Sequence, residues 1–194
     1  MVCEVTERLT EMETEDIVTD YTAYKLRLSG YDNWRPSTEL PTPAMRTMRT
    51  LGQQFEDSYT TTFEDMTRDI DVTGPEAQDS ISNISSVLFS DGIRWGRVVG
   101  LIVFSAKLSV KAMEANLPDQ VNNIVSWTTS HLKLPRFRLW LEQNNKWEGF
   151  VKFYERPENQ NPRVEEFSWT RMCSLGIATI AGAAAAIHLF VQKS

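Results

Sequence analysis

Residues 93–115 read IRWGRVVGLIVFSAKLSVKAMEA, and this stretch decides the fold class. Its apolar residues recur at helical spacing, and in the middle they cover most of the circumference. A helix of that kind is normally surrounded by other helices. The stretch therefore predicts a central buried helix with an all-helical domain packed around it. Just before it, Ser90-Asp91-Gly92 reads as a turn, with Asp91 placed to cap the new helix and Gly96 permitting close backbone approach. Arg97 falls in the first turn, where a cation opposes the helix dipole. It needs another reason to be there, either a salt bridge at the surface or core edge or a role in binding.

Working outward, no run shows convincing strand alternation. Before the turn, Ala77, Ile81, Ile84 and Leu88 stand at i, i+4, i+7 and i+11 of an amphipathic helix that begins after Gly74-Pro75. Upstream, Thr42 reads as an N-cap with Pro43 at the first helical position. The helix that follows carries Met48, Leu51, Phe55, Tyr59, Phe63 and Met66 down one face. The first helix is expected over 15–29, on Ile17, Tyr21, Tyr24 and Leu28, with Gly30 at its C-terminal cap. Downstream, Pro118 opens a partner helix with Val121, Ile124, Val125, Thr128 and Leu132 on one face. Pro135 ends that run, and two short helices follow around Trp140 and Trp147.

The net charge of the 194 residues is -6 and is concentrated in residues 1–16, which include an acidic N-terminal segment, 1–13. Glu4, Glu7, Glu11, Glu13, Glu15 and Asp16 there face a single base, Arg8, and the rest of the chain is near neutral. Without a basic stripe, nucleic acid is excluded as a partner class. The opening MVCEVTERLTEMETED has neither a basic nor an apolar signal region. Cys3 and Cys173 sit at opposite ends and form no metal-ligand or redox spacing, which fits free thiols on the cytosolic side.

The chain divides into the acidic segment, a helical domain over 14–155, a polar linker over 156–171, and residues 172–191, MCSLGIATIAGAAAAIHLFV. Two readings fit the last segment. About 20 apolar residues at 1.5 Å rise span a bilayer core, which makes it a C-terminal transmembrane helix. A buried alanine-rich core helix is the other. Ala178, Gly182 and Ala186 give the small-residue spacing that suits close helix packing, and Arg171 and Lys193 flank the segment.

A catalytic reading finds no support. His131 and His188 have no nucleophile or carboxylate at an informative spacing, and no nucleotide loop, nucleophile elbow or metal motif is present. No catalytic residue, metal, cofactor or small-molecule substrate is expected.

Four stretches in order then carry a resemblance. LFSDGIRWGRVVGLIVF (88–104) resembles the first homology motif of the Bcl-2 family, built on Asn-Trp-Gly-Arg. WLEQNNKWEGFVKFY (140–154) is similar to the second, DIVTDYTAYKLRLSGYDNW (16–34) to the fourth, and AMRTMRTLGQQFEDSYTTTF (44–63) to the third, the death helix. The resemblance covers nearly the whole chain, with the hydrophobic tail where the family has its anchor. It implies a bundle of about eight helices around a central apolar hairpin. It also implies a surface groove that binds death-motif (BH3) helices of pro-apoptotic relatives in the helix-in-groove mode. The implied lining is Phe55, Tyr59, Phe63, Met66, Leu88, Gly100, Phe104 and Tyr154. Arg94, Trp95, Gly96 and Arg97 form the motif at its end, with Arg97 facing the ligand's aspartate. For each apolar residue, plain core is the other reading. The implied location is the cytosolic face of the mitochondrial outer membrane, with the endoplasmic reticulum or cytosol as further possibilities.

The departures from the family pattern bear on the role. Arg94 replaces the usual asparagine, and Asn145-Lys146 replaces paired glycines before Trp147. In the chain's own death-helix motif (Met48, Gly52, Gln53, Phe55), Met48 stands for leucine and Gln53 for aspartate. Gln53 cannot make a charge-assisted bond to a relative's arginine. The expectation is a pro-survival regulator that inhibits outer-membrane permeabilisation. A pore-forming effector of the same family and a tail-anchored scaffold with a closed groove are the alternatives.

Overall fold

The computed structural model describes residues 2–35, 40–90 and 92–155. Within them lie eight helices: α1 (Val2–Leu28), α2 (Pro43–Ser58), α3 (Thr60–Arg68), α4 (Glu76–Leu88), α5 (Trp95–Glu114), α6 (Pro118–Leu132), α7 (Pro135–Gln143) and α8 (Lys146–Glu155). The expected all-helical bundle is present. Helix α5 runs through its centre, packed on α1, α2, α3, α4 and α6. Only Lys107, Val110, Lys111 and Glu114 of α5 escape full burial, as the apolar circumference requires.

The α5–α6 hairpin turns at Asn116, whose φ of 60° is the left-handed value that ends many helices. Its amide donates to the Met113 carbonyl and that of Leu117 to Ala112, satisfying two terminal carbonyls before Pro118 starts α6. Inside the hairpin, Thr128 donates to Ser105 Oγ at 2.7 Å, and Ser105 donates to the Leu101 carbonyl at 2.9 Å. Gly30 closes α1 the same way, at φ 88° with the Tyr31 amide on the Leu26 carbonyl.

Three expectations need correction. Helix α1 begins at Val2 rather than near residue 15, so the acidic segment is helical. Its inner face extends through Thr10 and Thr14, both buried, and Thr14 Oγ1 accepts from Trp147 Nε1 at 2.9 Å. Acids suit a helix N-terminus, and two of them reach other helices: Glu11 pairs with Arg138 at 3.0 Å and Glu15 with Lys133 at 2.9 Å. Next, the single helix expected from Thr42 to Met66 is two. The break is at Tyr59 (φ -133°, ψ 29°), followed by threonines, which favour helix weakly. Thr42 does cap α2, accepting from the Met45 amide at 3.3 Å. Helix α5 starts at Trp95 with Arg94 as its N-cap, and the cap expected of Asp91 lies outside the described residues. Finally, Tyr24 is only half-buried and Leu28 is exposed, whereas Leu26 is fully buried. The expected linker (156–171) and anchor (172–191) lie outside the described residues. Among the described residues no helix is long and apolar enough to cross a membrane.

The two short helices are fixed by aromatic packing. Trp95 meets Trp140 at 4.5 Å between ring centroids, Phe150 at 5.1 Å and Trp147 at 5.7 Å, so the start of α5 is joined to α7 and α8. Asn145 and Lys146 make the α7–α8 turn at φ 62° and 54°, the conformation that glycines would adopt without strain. Gly149 closes the turn against the backbone: a Cβ there would fall 1.8 Å from the Asn144 carbonyl oxygen.

Helix α2 is tied to its neighbours by charge. Glu56 pairs with Lys25 of α1 at 2.7 Å and with Lys107 of α5 at 2.5 Å. Arg49 donates to both oxygens of Asp20, through Nε at 2.9 Å. Burial pushes the Glu56 carboxyl up, but the ammonium groups of Lys107 and Lys25 outweigh it and hold the carboxyl below the usual range.

Two outcomes follow from these contacts. Gly149→Ala must shift backbone at the α7–α8 turn and lowers the unfolding free energy by about 3 kcal/mol in denaturant titrations; a loss near zero contradicts the geometry. Glu56→Gln leaves two lysines facing a neutral amide and costs about 2–3 kcal/mol at pH 7, at the low end because Lys107 is partly solvated. Because the folded carboxyl is depressed, its contribution is complete above the unfolded value and fades as pH falls through the folded one. The deficit therefore narrows at pH 3, and an equal deficit at both pH values contradicts the pairing.

Candidate functional site: an apolar cleft over the central helix

One stripe of α5 carries Arg97, Gly100, Phe104, Lys107 and Lys111, at spacings that place them along one side of the helix. Helix α3 packs on α2 and α5, and α4 packs on α5 and α6, while α3 and α4 make at most marginal contact with each other. The seam between them lies over α5. Phe55 from α2 and Phe63 from α3 meet there at 5.6 Å between centroids, with the Tyr59 ring 5.2 Å from Phe55. Gly100 makes room for this pair, since a Cβ on it would already touch the Phe55 ring at 3.4 Å.

The structure thus brings Phe55, Tyr59, Phe63 and Gly100 together. Met66, Leu88 and Phe104 are buried in the same apolar core. Apart from Tyr59, no side chain in this set is more than 9% exposed. In this conformation the lining packs on itself. A ligand helix has to displace α3 or α4 outward to reach it. Tyr154 is half-buried on α8, which packs against α2.

At the end of the stripe, Arg97 is 2% exposed and donates through Nη1 to the Gly92 carbonyl at 2.7 Å. Trp95 and Gly96 are buried beside it, and Arg94 is exposed at the N-cap. The guanidinium is therefore held against the α4–α5 turn, and Arg94 is the solvent-facing cation of the two. Burial removes most solvent screening from Arg97, so an anion that reaches it interacts more strongly than one at Arg94.

The chain's own death-helix motif faces inward. Met48 and Phe55 are buried, and Gly52 lets α1 approach: a Cβ there would lie 2.5 Å from the Tyr21 ring. Burial, and secondarily Glu56, pushes the Tyr21 hydroxyl pKa far up, keeping it neutral beside the ion pairs. Gln53 accepts from Lys25 Nζ at 3.1 Å and donates to Asp57 at 2.7 Å, joining the same network as Glu56. Sequence reasoning missed Lys25, Glu56 and Lys107 as a set. The available signal was a carboxylate among the apolar positions of α2.

Comparisons with known proteins agree with this geometry. A family model described as apoptosis regulator proteins, Bcl-2 family, matches residues 48–147, just over half of the chain. The chain is 31% identical over 135 residues to Bcl-2-like protein 1 of Gallus gallus, covering 70% of this chain and 58% of that one. It is 28% identical over 146 residues to Bcl-2-like protein 1 of Homo sapiens, covering 75% and 62%. Apoptosis regulator Bcl-2 of Cricetulus griseus is 28% identical over 140 residues, covering 71% and 56%. The match thus spans about 56–62% of these relatives' length. Among solved structures, Trichoplax adhaerens trBcl-2L2 bound to trBak BH3 superposes with a TM-score of 0.69 at 23% identity, covering 75% of this chain and 99% of that one, a likeness of fold. With the family model spanning the α2 death-helix motif, the Arg97 turn and the central hairpin, the chain belongs to the Bcl-2 family of apoptosis regulator proteins.

Proposed function

We propose that the seam between α3 and α4 opens to receive amphipathic death helices of pro-apoptotic relatives, and that the protein thereby restrains permeabilisation of the mitochondrial outer membrane. The observation that carries the reading is the α5 stripe: a buried cation, Arg97, in line with a floor of Gly100 and Phe104 and an apolar wall from Phe55 to Met66. An amphipathic helix matches it with apolar anchors along one face and an aspartate at Arg97. The solved Trichoplax relative is bound to such a segment, which supports the assignment.

The inhibitory side of the reading rests on α2. An effector must lend its own death helix to neighbouring grooves. Here Gln53 offers an amide where a charge is needed, and the helix is fastened by Lys25, Lys107 and Asp20. A receiver that is a poor donor acts as an inhibitor. Residues 172–191 serve as the C-terminal membrane anchor in this reading, leaving the helical domain on the cytosolic face. Permeabilisation control needs no catalysis, and no cofactor enters it.

The burial of the lining favours a second reading, a scaffold whose cleft stays closed. Titration calorimetry with death-helix peptides separates the two. Binding at nanomolar to micromolar affinity supports the groove, because about four anchors at 1.5–3 kcal/mol each offset peptide ordering and the cost of opening. Silence to high micromolar supports the scaffold. Arg97→Gln weakens binding by about 2 kcal/mol, roughly thirtyfold, while Arg94→Gln changes it less than about threefold. Thermal melts confirm that both variants fold, and equal losses contradict the role of Arg97. On dye-loaded vesicles, the full chain alone causes no leakage and suppresses leakage by an effector. Leakage from the chain alone, triggered by a peptide, makes it an effector.

A further inference from the structure

Helix α3 forms one wall of the seam, and its own sequence does little to hold it helical. It has nine residues, starts at Tyr59 without a side-chain cap bond, and opens with threonines. Isolated helices of that length are marginal in water. Its last carbonyls also lack partners within the helix, as at any C-terminus. One side chain answers this: Lys111 Nζ donates to the carbonyls of Thr67, Arg68 and Ile70, each at 2.7 Å. All three ammonium protons are used, and a cation at a helix C-terminus also complements the dipole. Lys111 stands on the same α5 stripe as Arg97, Gly100 and Phe104, at the opposite end.

From this we infer that Lys111 is a positioning residue for the cleft: it staples the C-terminal end of α3 to α5 and so sets how readily the wall lifts for a ligand helix. The inference rests on the seam being the ligand site. At Tyr59 the helix has no side-chain cap bond, whereas its other end is held by Lys111. The peptide must work against this staple before it reaches Phe63 and Met66.

The test uses the full chain in lipid nanodiscs, comparing wild type with Lys111→Met, Lys111→Arg and the surface control Lys152→Met. Amide hydrogen exchange over residues 63–70 rises about tenfold in Lys111→Met, with α6 unchanged, because local opening no longer breaks the three bonds. Lys111→Arg, which still donates to carbonyls, restores most of the protection. A death-helix peptide associates about threefold or more faster with Lys111→Met, since the open state is more populated. Unchanged exchange in α3 overturns the inference, as does raised exchange with an unaltered association rate. Raised exchange in a chain whose wild type binds no peptide overturns the reading of the seam as the ligand site, and leaves the staple itself supported.

Discussion

The structure depends on a single requirement: α5 is apolar around most of its circumference and has to be covered on every side. Each fully buried valine, leucine, isoleucine or phenylalanine contributes about 1.5–3 kcal/mol. Leu101, Ile102, Val103, Phe104 and Leu108 are all fully buried. Five helices supply the cover, but unequally. Helices α1, α2, α4 and α6 run 13 residues or more, whereas α3 has nine and starts on poor helix formers. The cleft lies beside that short helix, where the cover costs least to remove. The proposed helix-in-groove binding follows this geometry: lifting one wall exposes apolar floor, and an incoming amphipathic helix covers it again.

Charge organises the same stripe. Three cations stand on the side of α5 that faces α2 and α3, and each is anchored differently. Arg97 bonds the carbonyl of the α4–α5 turn, Lys107 holds Glu56 of α2, and Lys111 holds the end of α3. A cation buried without compensation is expensive. Those three sets of bonds make the stripe tolerable inside an otherwise apolar bundle. They also distinguish the helices around it. Helix α2 is fixed through side-chain ion pairs that strengthen with burial, whereas α3 is held through its own backbone, and its registry can loosen without leaving a charge unpaired on the helix itself.

Much of this was legible from residue pattern. The central hairpin, the cap at Thr42, the Gly30 stop and the buried face of α4 follow from period, capping and turn chemistry, and the structure has them. The early start of α1 was not legible, because Thr10 and Thr14 are polar by type and become core only through packing and the bond from Trp147. The break at Tyr59 was hidden because the apolar face continues across it: Phe55 and Phe63 remain partners in spite of the change in backbone. Asn145 and Lys146, which stand where the family pattern has paired glycines, keep the left-handed backbone without them. For the site, the family resemblance implied a lining but could not say whether it was open. That depends on how α3 settles, which is a matter of tertiary contacts such as the Lys111 bonds.

In the proposed complex a ligand carboxylate meets Arg97 when a death helix occupies the seam. A double-mutant cycle measures that meeting directly, pairing Arg97→Gln in the protein with aspartate-to-asparagine in the peptide and reading affinity for all four combinations. The expected coupling is about 1.5 kcal/mol or more, with the second substitution costing little once the first is made. Additive losses, with no coupling between the two positions, would contradict it.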